Sequence, residues 1–411
     1  MQFSRIFSLL FISLVCAGCS WFTWLPWVDD PDDDKEKDKP AKLVDFDKEL
    51  DLKIKWGAKI GDGLGKKYLR LSPALVADRV IAADGYGAVE ARDRFSGKRV
   101  WQTKTHELNK GFFRSLNFID RTDPSFISGG VGAGSGMALL GSTDGEVIAL
   151  SAGDGSLIWS TRLGSEVLAV PAVGNDMVFA QTIDGRLVAL QQADGEVAWT
   201  YDNQVPILTL RGTSSPVVFQ GIVYAGFANG KIIAFRASNG EPIWEHRVML
   251  PEGRSELDRM VDVDGRPLLA GGSIYVGAYH GYVKGLSLRD GRPLWEEELS
   301  TYLDLAEGYG QIYAIDEDDI ITAFDQNSGE VVWTQEAFRL RKLGPPLAFS
   351  NYLLVGDEDG YIHVIAQRDG RLLGRRKIDG KGLRSNLSVQ DGTIFALGNS
   401  GKLRALEIEL R

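Results

Sequence analysis

The chain has 411 residues, 44% of them hydrophobic and 25% charged, with a formal net charge of −10. That balance fits a globular protein with a large core, and a negative chain excludes non-specific nucleic-acid binding, which needs a positive surface. The two cysteines, Cys16 and Cys19, stand near the N-terminus, so the rest of the chain is excluded from disulfide scaffolds, cysteine-bound metals and thiol catalysis.

Residues 1–18 read as an export signal. Arg5 supplies the positive charge, and Ile6 to Val15 form an apolar run broken by Ser8 and Ser13, too short to span a bilayer. Ala17-Gly18-Cys19 resembles the lipobox of bacterial lipoproteins, although Cys16 stands where that box usually holds Leu. The resemblance implies cleavage before Cys19 and a covalent lipid on it, with secretory cleavage beside a stray cysteine as the alternative. Such a lipoprotein carries three acyl chains, and stable anchoring needs more than one. Ser20, in the place where Asp marks inner-membrane retention, implies the periplasmic face of the outer membrane.

Residues 19–44 read as a tether. Ser20-Trp-Phe-Thr-Trp-Leu-Pro-Trp27 carries three tryptophans suited to the headgroup region or to packing on the body. Residues 29–42 are rich in Asp, Lys and Pro, the composition of a solvated linker. The cluster Asp32-Asp33-Asp34 reads as part of that spacer.

From residue 45 to 411 one pattern recurs eight times. Its clearest copy is Asp184-Gly-Arg-Leu-Val-Ala-Leu-Gln-Gln-Ala-Asp-Gly-Glu-Val-Ala-Trp199, which reads turn, strand, turn, strand. The first turn begins at Tyr86, Asp144, Asp184, Asn229, His280, Asp318, Asp359 and Ser400. Fifteen residues on comes Trp101, Trp159, Trp199, Trp244, Trp295 or Trp333, and Gly374 in the seventh copy. Each is preceded four residues earlier by a turn glycine, Gly97 to Gly370. One position per copy is Ala or Gly (Ala91, Ala149, Ala189, Ala234, Gly285, Ala323, Ala405), which suits close packing of one sheet on the next. The last copy ends before its Trp strand, and Leu52-Lys-Ile-Lys-Trp56 supplies one. The expected fold is therefore all-β: an eight-bladed propeller of four-stranded antiparallel blades, closed by pairing the N-terminal and C-terminal strands.

The catalytic search is thin. His106, His246, His280 and His363 form no close pair, and His280 and Glu317-Asp-Asp319 occupy first turns. Gly129-Gly-Val-Gly-Ala-Gly-Ser-Gly136 lacks the Lys-Ser/Thr ending of a phosphate loop and reads as a flexible loop. The Trp-to-turn distances vary (30, 43, 25, 30, 36, 23, 26 and 26 residues), so function is expected in the connections between blades, which open on one face. Two connections stand out. Val205-Pro-Ile-Leu-Thr-Leu-Arg-Gly212 carries Leu208, Leu210 and Arg211, and Arg259-Met-Val-Asp-Val-Asp264 carries Asp262 and Asp264. Alternatively the leucines begin an inner strand and the aspartates solvate a loop.

The Asp-Gly turn followed by Gly-x-x-x-Trp resembles the repeats of pyrroloquinoline-quinone (PQQ) propellers. PQQ dehydrogenases use an adjacent cysteine pair over the cofactor with Asp and Ca²⁺ beside it, and the repeats here contain no cysteine. The lipobox, the eight repeats, Leu-Thr-Leu-Arg and Asp-Val-Asp together resemble the BamB family, the lipoprotein propellers of the β-barrel assembly machinery. That resemblance implies a non-enzymatic scaffold with no cofactor beyond the lipid on Cys19. It also implies docking of Leu208, Leu210, Arg211, Asp262 and Asp264 onto a periplasmic POTRA domain of BamA, beside other subunits of the machinery and unfolded outer-membrane proteins. A PQQ-dependent periplasmic dehydrogenase and a small-ligand module using the central funnel are the alternatives.

Overall fold

Short apolar strands separated by Asp-Gly turns cannot bury both faces alone, so they stack as sheets around an axis. The structure is a computed structural model and describes residues 39–65, 69–108, 126–206, 212–251, 254–255 and 259–411. Among them are eight four-stranded sheets. The third is typical: Ala172–Gly174 innermost, then Met177–Gln181, Arg186–Gln191 and Val197–Asp202 outermost, each antiparallel to the next. The blades span 74–104, 127–162, 172–202, 217–247, 268–298, 306–335 and 347–377. The eighth joins 388–410 to the N-terminal strand Leu50–Lys59. That strand pairs with Lys402–Leu410 from Leu50↔Leu410 to Lys59↔Lys402, which closes the ring as the half-repeats require.

The Trp/Gly spacing is a latch between blades. Trp159 donates its Nε1–H to Gln192 O of the next blade at 2.8 Å, and the same bond runs from Trp56, Trp101, Trp199, Trp244, Trp295 and Trp333. The next blade's turn glycine lies flat on the indole. At Gly195 a Cβ would fall 2.6 Å from the Trp159 ring, and φ is +75°, so the position excludes a side chain twice over. The small residue, which packs toward the next blade, has a second role within its own sheet. Ala149 pairs with Trp159 across its own sheet, and Ala91, Ala189, Ala234, Gly285, Ala323 and Ala405 likewise face a Trp. It makes room for the indole within the blade.

Blade 7 shows the rule by exchange. Gly374 replaces the Trp, and the residue opposite it is Val364 rather than Ala. Among the described residues no indole latches this blade to the eighth. Instead the N-terminal segment seals the seam, with Glu49 N–H donating to Leu373 O (2.9 Å) and Arg376 Nη1 to Leu52 O (2.7 Å). A Cβ at Gly374 would meet Leu50 O at 2.8 Å, so the missing side chain is the space the seam occupies.

One sequence expectation is corrected. The glycine run after Trp101 is not a flexible loop: Ile127–Gly134 is the inner strand of blade 2, mostly buried. Its glycines let the strand approach blade 3, where a Cβ at Gly129 or Gly132 would lie 2.2 Å from Ala169 O or Pro171 O.

Candidate functional site in the blade connections

An antiparallel meander places each first turn and each blade-to-blade connection on one face, with the latch turns on the other. The two connections singled out in the sequence flank blade 4 on the first of these faces. Leu208, Leu210 and Arg211, like Cys19, lie outside the described residues. The ends of their connection are described, and they touch the second connection. Gly212 runs so close to Asp264 that a Cβ would lie 2.5 Å from its carboxylate, and Ser214 Oγ donates to Gly265 O at 3.0 Å.

Blade 4's first turn ties the two together. Asn229 donates from Nδ2 to Asn203 Oδ1 (3.0 Å) and Gln204 O (3.4 Å) at the start of the first connection, and its backbone forms a parallel bridge with Val261 in the second. Tyr279 N–H of blade 5 donates to Asp262 O at 2.8 Å, so the Asp-Val-Asp segment is wedged between two blades. Sequence reasoning missed Asn229. Its signal was an amide where Asp144, Asp184, Asp318 and Asp359 stand in other blades.

The two aspartates have different surroundings. Asp262 is fully buried, whereas Asp264 is half-buried and opens on the central channel. Burial pushes the Asp264 carboxyl well above the usual range, and the neighbouring Asp262 charge adds to the rise while Arg70 partly offsets it. The channel is a cavity of 1010 Å³ lined in part by Arg70, Asp264, Arg266, Tyr302, Asp304 and Asn386. Asp304 accepts from Asn386 Nδ2 (2.6 Å) and Arg266 N (2.8 Å), and the Arg70 guanidinium lies 5.2 Å over the Tyr302 ring.

His280 lies in its turn, at φ +50° with its N–H donated to Ser300 Oγ, as the repeat required. His363 is more informative. It is buried in blade 7 and shares Asp357 Oδ2 (3.0 Å) with Arg341 Nη2 (2.6 Å), while Arg341 also reaches Asp359 (2.7 Å). This pins the connection between blades 6 and 7 to the first turn of blade 7. It joins one histidine to paired, buried charges and offers no open position for a substrate. Among the described residues no group of three or more His, Cys, Asp or Glu is arranged to hold a metal.

A family model described as outer membrane protein assembly factor BamB matches residues 85–335. The chain is 38% identical over 401 residues to the outer membrane protein assembly factor BamB of Pseudomonas aeruginosa, covering 98% of each. The chain belongs to the BamB family of outer-membrane protein assembly factors. The crystal structure of BamB from Moraxella catarrhalis superposes with a TM-score of 0.77 at 27% identity, covering 87% of this chain and 99% of that one. The quinohemoprotein alcohol dehydrogenase of Comamonas testosteroni superposes at 0.68 with 14% identity, covering 87% and 76%, which is a likeness of fold alone.

Proposed function

We propose that this BamB-family chain is a lipid-anchored, non-enzymatic subunit of the outer-membrane β-barrel assembly complex, held through Cys19 at the periplasmic face. On this reading the blade 3–4 and blade 4–5 connections dock onto a periplasmic POTRA domain of BamA and so aid folding and insertion of outer-membrane proteins. Leu208, Leu210 and Arg211 supply apolar anchors and a cation, and the Asp262–Asp264 segment shapes the adjoining surface. The observation that carries the reading is the convergence of the two connections: Gly212, next to Arg211 in the chain, abuts Asp264. A buried aliphatic and Arg cluster with a polar rim is the composition of a binding hot spot.

The test is Arg211→Glu in the native lipoprotein, followed by co-purification with BamA from outer membranes. Loss of BamA with an unchanged melting temperature is expected. Retention of BamA, or loss of it together with a collapse of stability, would move the contact elsewhere. The dehydrogenase alternative has no cysteine pair beyond residue 19 to carry it.

A further inference from the structure

One sector of the ring departs from the charge of the rest. Residues 368–384, the outer strand of blade 7 with its flanks, hold Arg368, Arg371, Arg375, Arg376, Lys377, Lys381 and Arg384 against Asp369 and Asp379, seven minus two, or +5. The same register in blade 5, residues 289–305, holds Arg289 and Arg292 against Asp290, Glu296, Glu297, Glu298 and Asp304, two minus five, or −3. The fold is the same, so the fold does not ask for these cations. The chain as a whole is at −10.

Several of the cations are left to solvent. Arg371 pairs with Glu49 and Asp369, and Arg375 donates to Val44 O while lying over Phe46. Arg376, Lys377 and Lys381 are exposed, and among the described residues none has a carboxylate partner within 4 Å. Lys377 rests over Tyr361, where Arg375 also lies, so two cations are set side by side on one ring. The segment that crosses this strand, residues 42–49, holds Lys42 and Lys48 against Asp45, Asp47 and Glu49, two minus three, or −1. It leaves most of the +5 uncancelled.

That segment also fixes where the chain comes from. Val44 lies on blade 7, where its carbonyl accepts from Arg375 Nη1 at 3.2 Å, and Cys19 lies 25 residues earlier in the sequence. Those residues extend to at most roughly 90 Å. A membrane that holds Cys19 lies within that distance of this sector. The proposed docking connections flank blade 4, three blades away around the ring.

We propose that the outer edge of blade 7 and the connection after it, through Lys377 and Lys381, appose the anionic phosphate surface of the bilayer. A cation near such a surface gains attraction that dies within a Debye length, so the contact is short-ranged and sensitive to salt. The proposal takes from the preceding reading only the anchor that brings the membrane near. It sets which side of the ring faces the membrane and leaves the connections at blade 4 free for a protein.

The experiment uses the full lipidated chain on vesicles of phosphatidylcholine alone or with phosphatidylglycerol. Acetylation rates at Lys377 and Lys381 are read by mass spectrometry, with the exposed Lys98 of blade 1 as reference. Protection of Lys377 and Lys381 of about fivefold or more on the anionic vesicles is expected, the effect of roughly one cation's attraction. It should vanish in high salt, and Lys98 should not change. Lys381→Glu, in a solvent-facing position, should reduce protection at Lys377 with no change in melting temperature. Equal rates on both vesicles, with the protein floating on both, overturn the proposal. If the protein fails to float on the neutral vesicles, the anchor reading fails. Flotation on the anionic vesicles alone then still supports the surface, and flotation on neither overturns it.

Discussion

Trp159→Phe isolates the latch that holds the ring together. The indole is 6% exposed, packs on Gly195 and donates to Gln192 O at 2.8 Å. Phenylalanine keeps an aromatic ring beside the glycine and removes the N–H. The carbonyl of Gln192 then loses its donor, which costs about 1–3 kcal/mol, and the smaller ring forfeits about 1 kcal/mol of packing. The expected loss is about 3 kcal/mol, read as a lower urea midpoint with an unchanged slope, followed by far-UV circular dichroism so that the lost tryptophan does not bias the signal. Trp199→Phe is the internal control. Trp199 makes the same bond to Ala237 O at 2.9 Å but is less buried, so its loss should be smaller. A Trp159→Phe change below about 0.5 kcal/mol, or a larger loss at Trp199 than at Trp159, would show that the hydrogen-bonded indole is not what joins the blades.

Gly374→Trp restores the repeat at the one blade that lacks it, yet should open the seam, because its Cβ would meet Leu50 O at 2.8 Å; limited proteolysis within residues 44–59 reads this, and an intact N-terminal strand would refute it. Asp264→Asn removes a carboxylate whose ionisation burial and Asp262 oppose. The native pKa is raised, so the charge destabilises as pH climbs past the unfolded value near 3.8, and the variant should melt higher at neutral pH while losing BamA in co-purification. His363 is held below its ordinary value chiefly by burial, so the unfolded chain takes up a proton near 6.5 that the native state refuses, and stability falls as pH drops through that value. His363→Gln should flatten that fall between pH 7 and 5 without abolishing it, since burial depresses His246 in the same direction; an unchanged slope would place the titration elsewhere.

The frame was legible because its signals are local. A turn glycine, a small residue and a Trp at fixed spacing each answer to one physical demand, and the unmatched half-repeats at the two ends of the chain could be satisfied only by each other. The second reason for Ala149, room for the indole opposite it, was not legible, because packing within a blade and packing between blades ask for the same small residue. Ile127–Gly134 was hidden for a related reason. Glycine reads as loop in a sequence, and only the neighbouring blade's backbone reveals that a strand needed the space. The connection site was half legible. Its two segments could be named from residue type, but the burial of Asp262, the opening of Asp264 onto the channel and the tie through Asn229 depend on contacts between residues far apart in the chain, such as 204 with 229 and 212 with 264. The basic sector at blade 7 was visible as composition, yet its link to the N-terminal segment required the seam.

The repeat also explains how one position can serve two ends. Arg341 stands six residues before the inner strand Leu347–Phe349, and Arg211 stands six before Val217–Phe219. In blade 7 the cation is claimed at home, by Asp357 and Asp359 of the following turn. The matching turn positions in blade 4 are Phe227 and Asn229, which carry no charge. A buried guanidinium paired with two carboxylates staples a connection to its own blade, and removing either side would leave a buried charge uncompensated. Those two carboxylates have no counterpart in the first turn of blade 4. The latch residues lie at the opposite end of the blades and are untouched by this exchange. On the reading proposed above, the connection before blade 7 is stapled to its own blade, and the matching connection before blade 4 docks a partner.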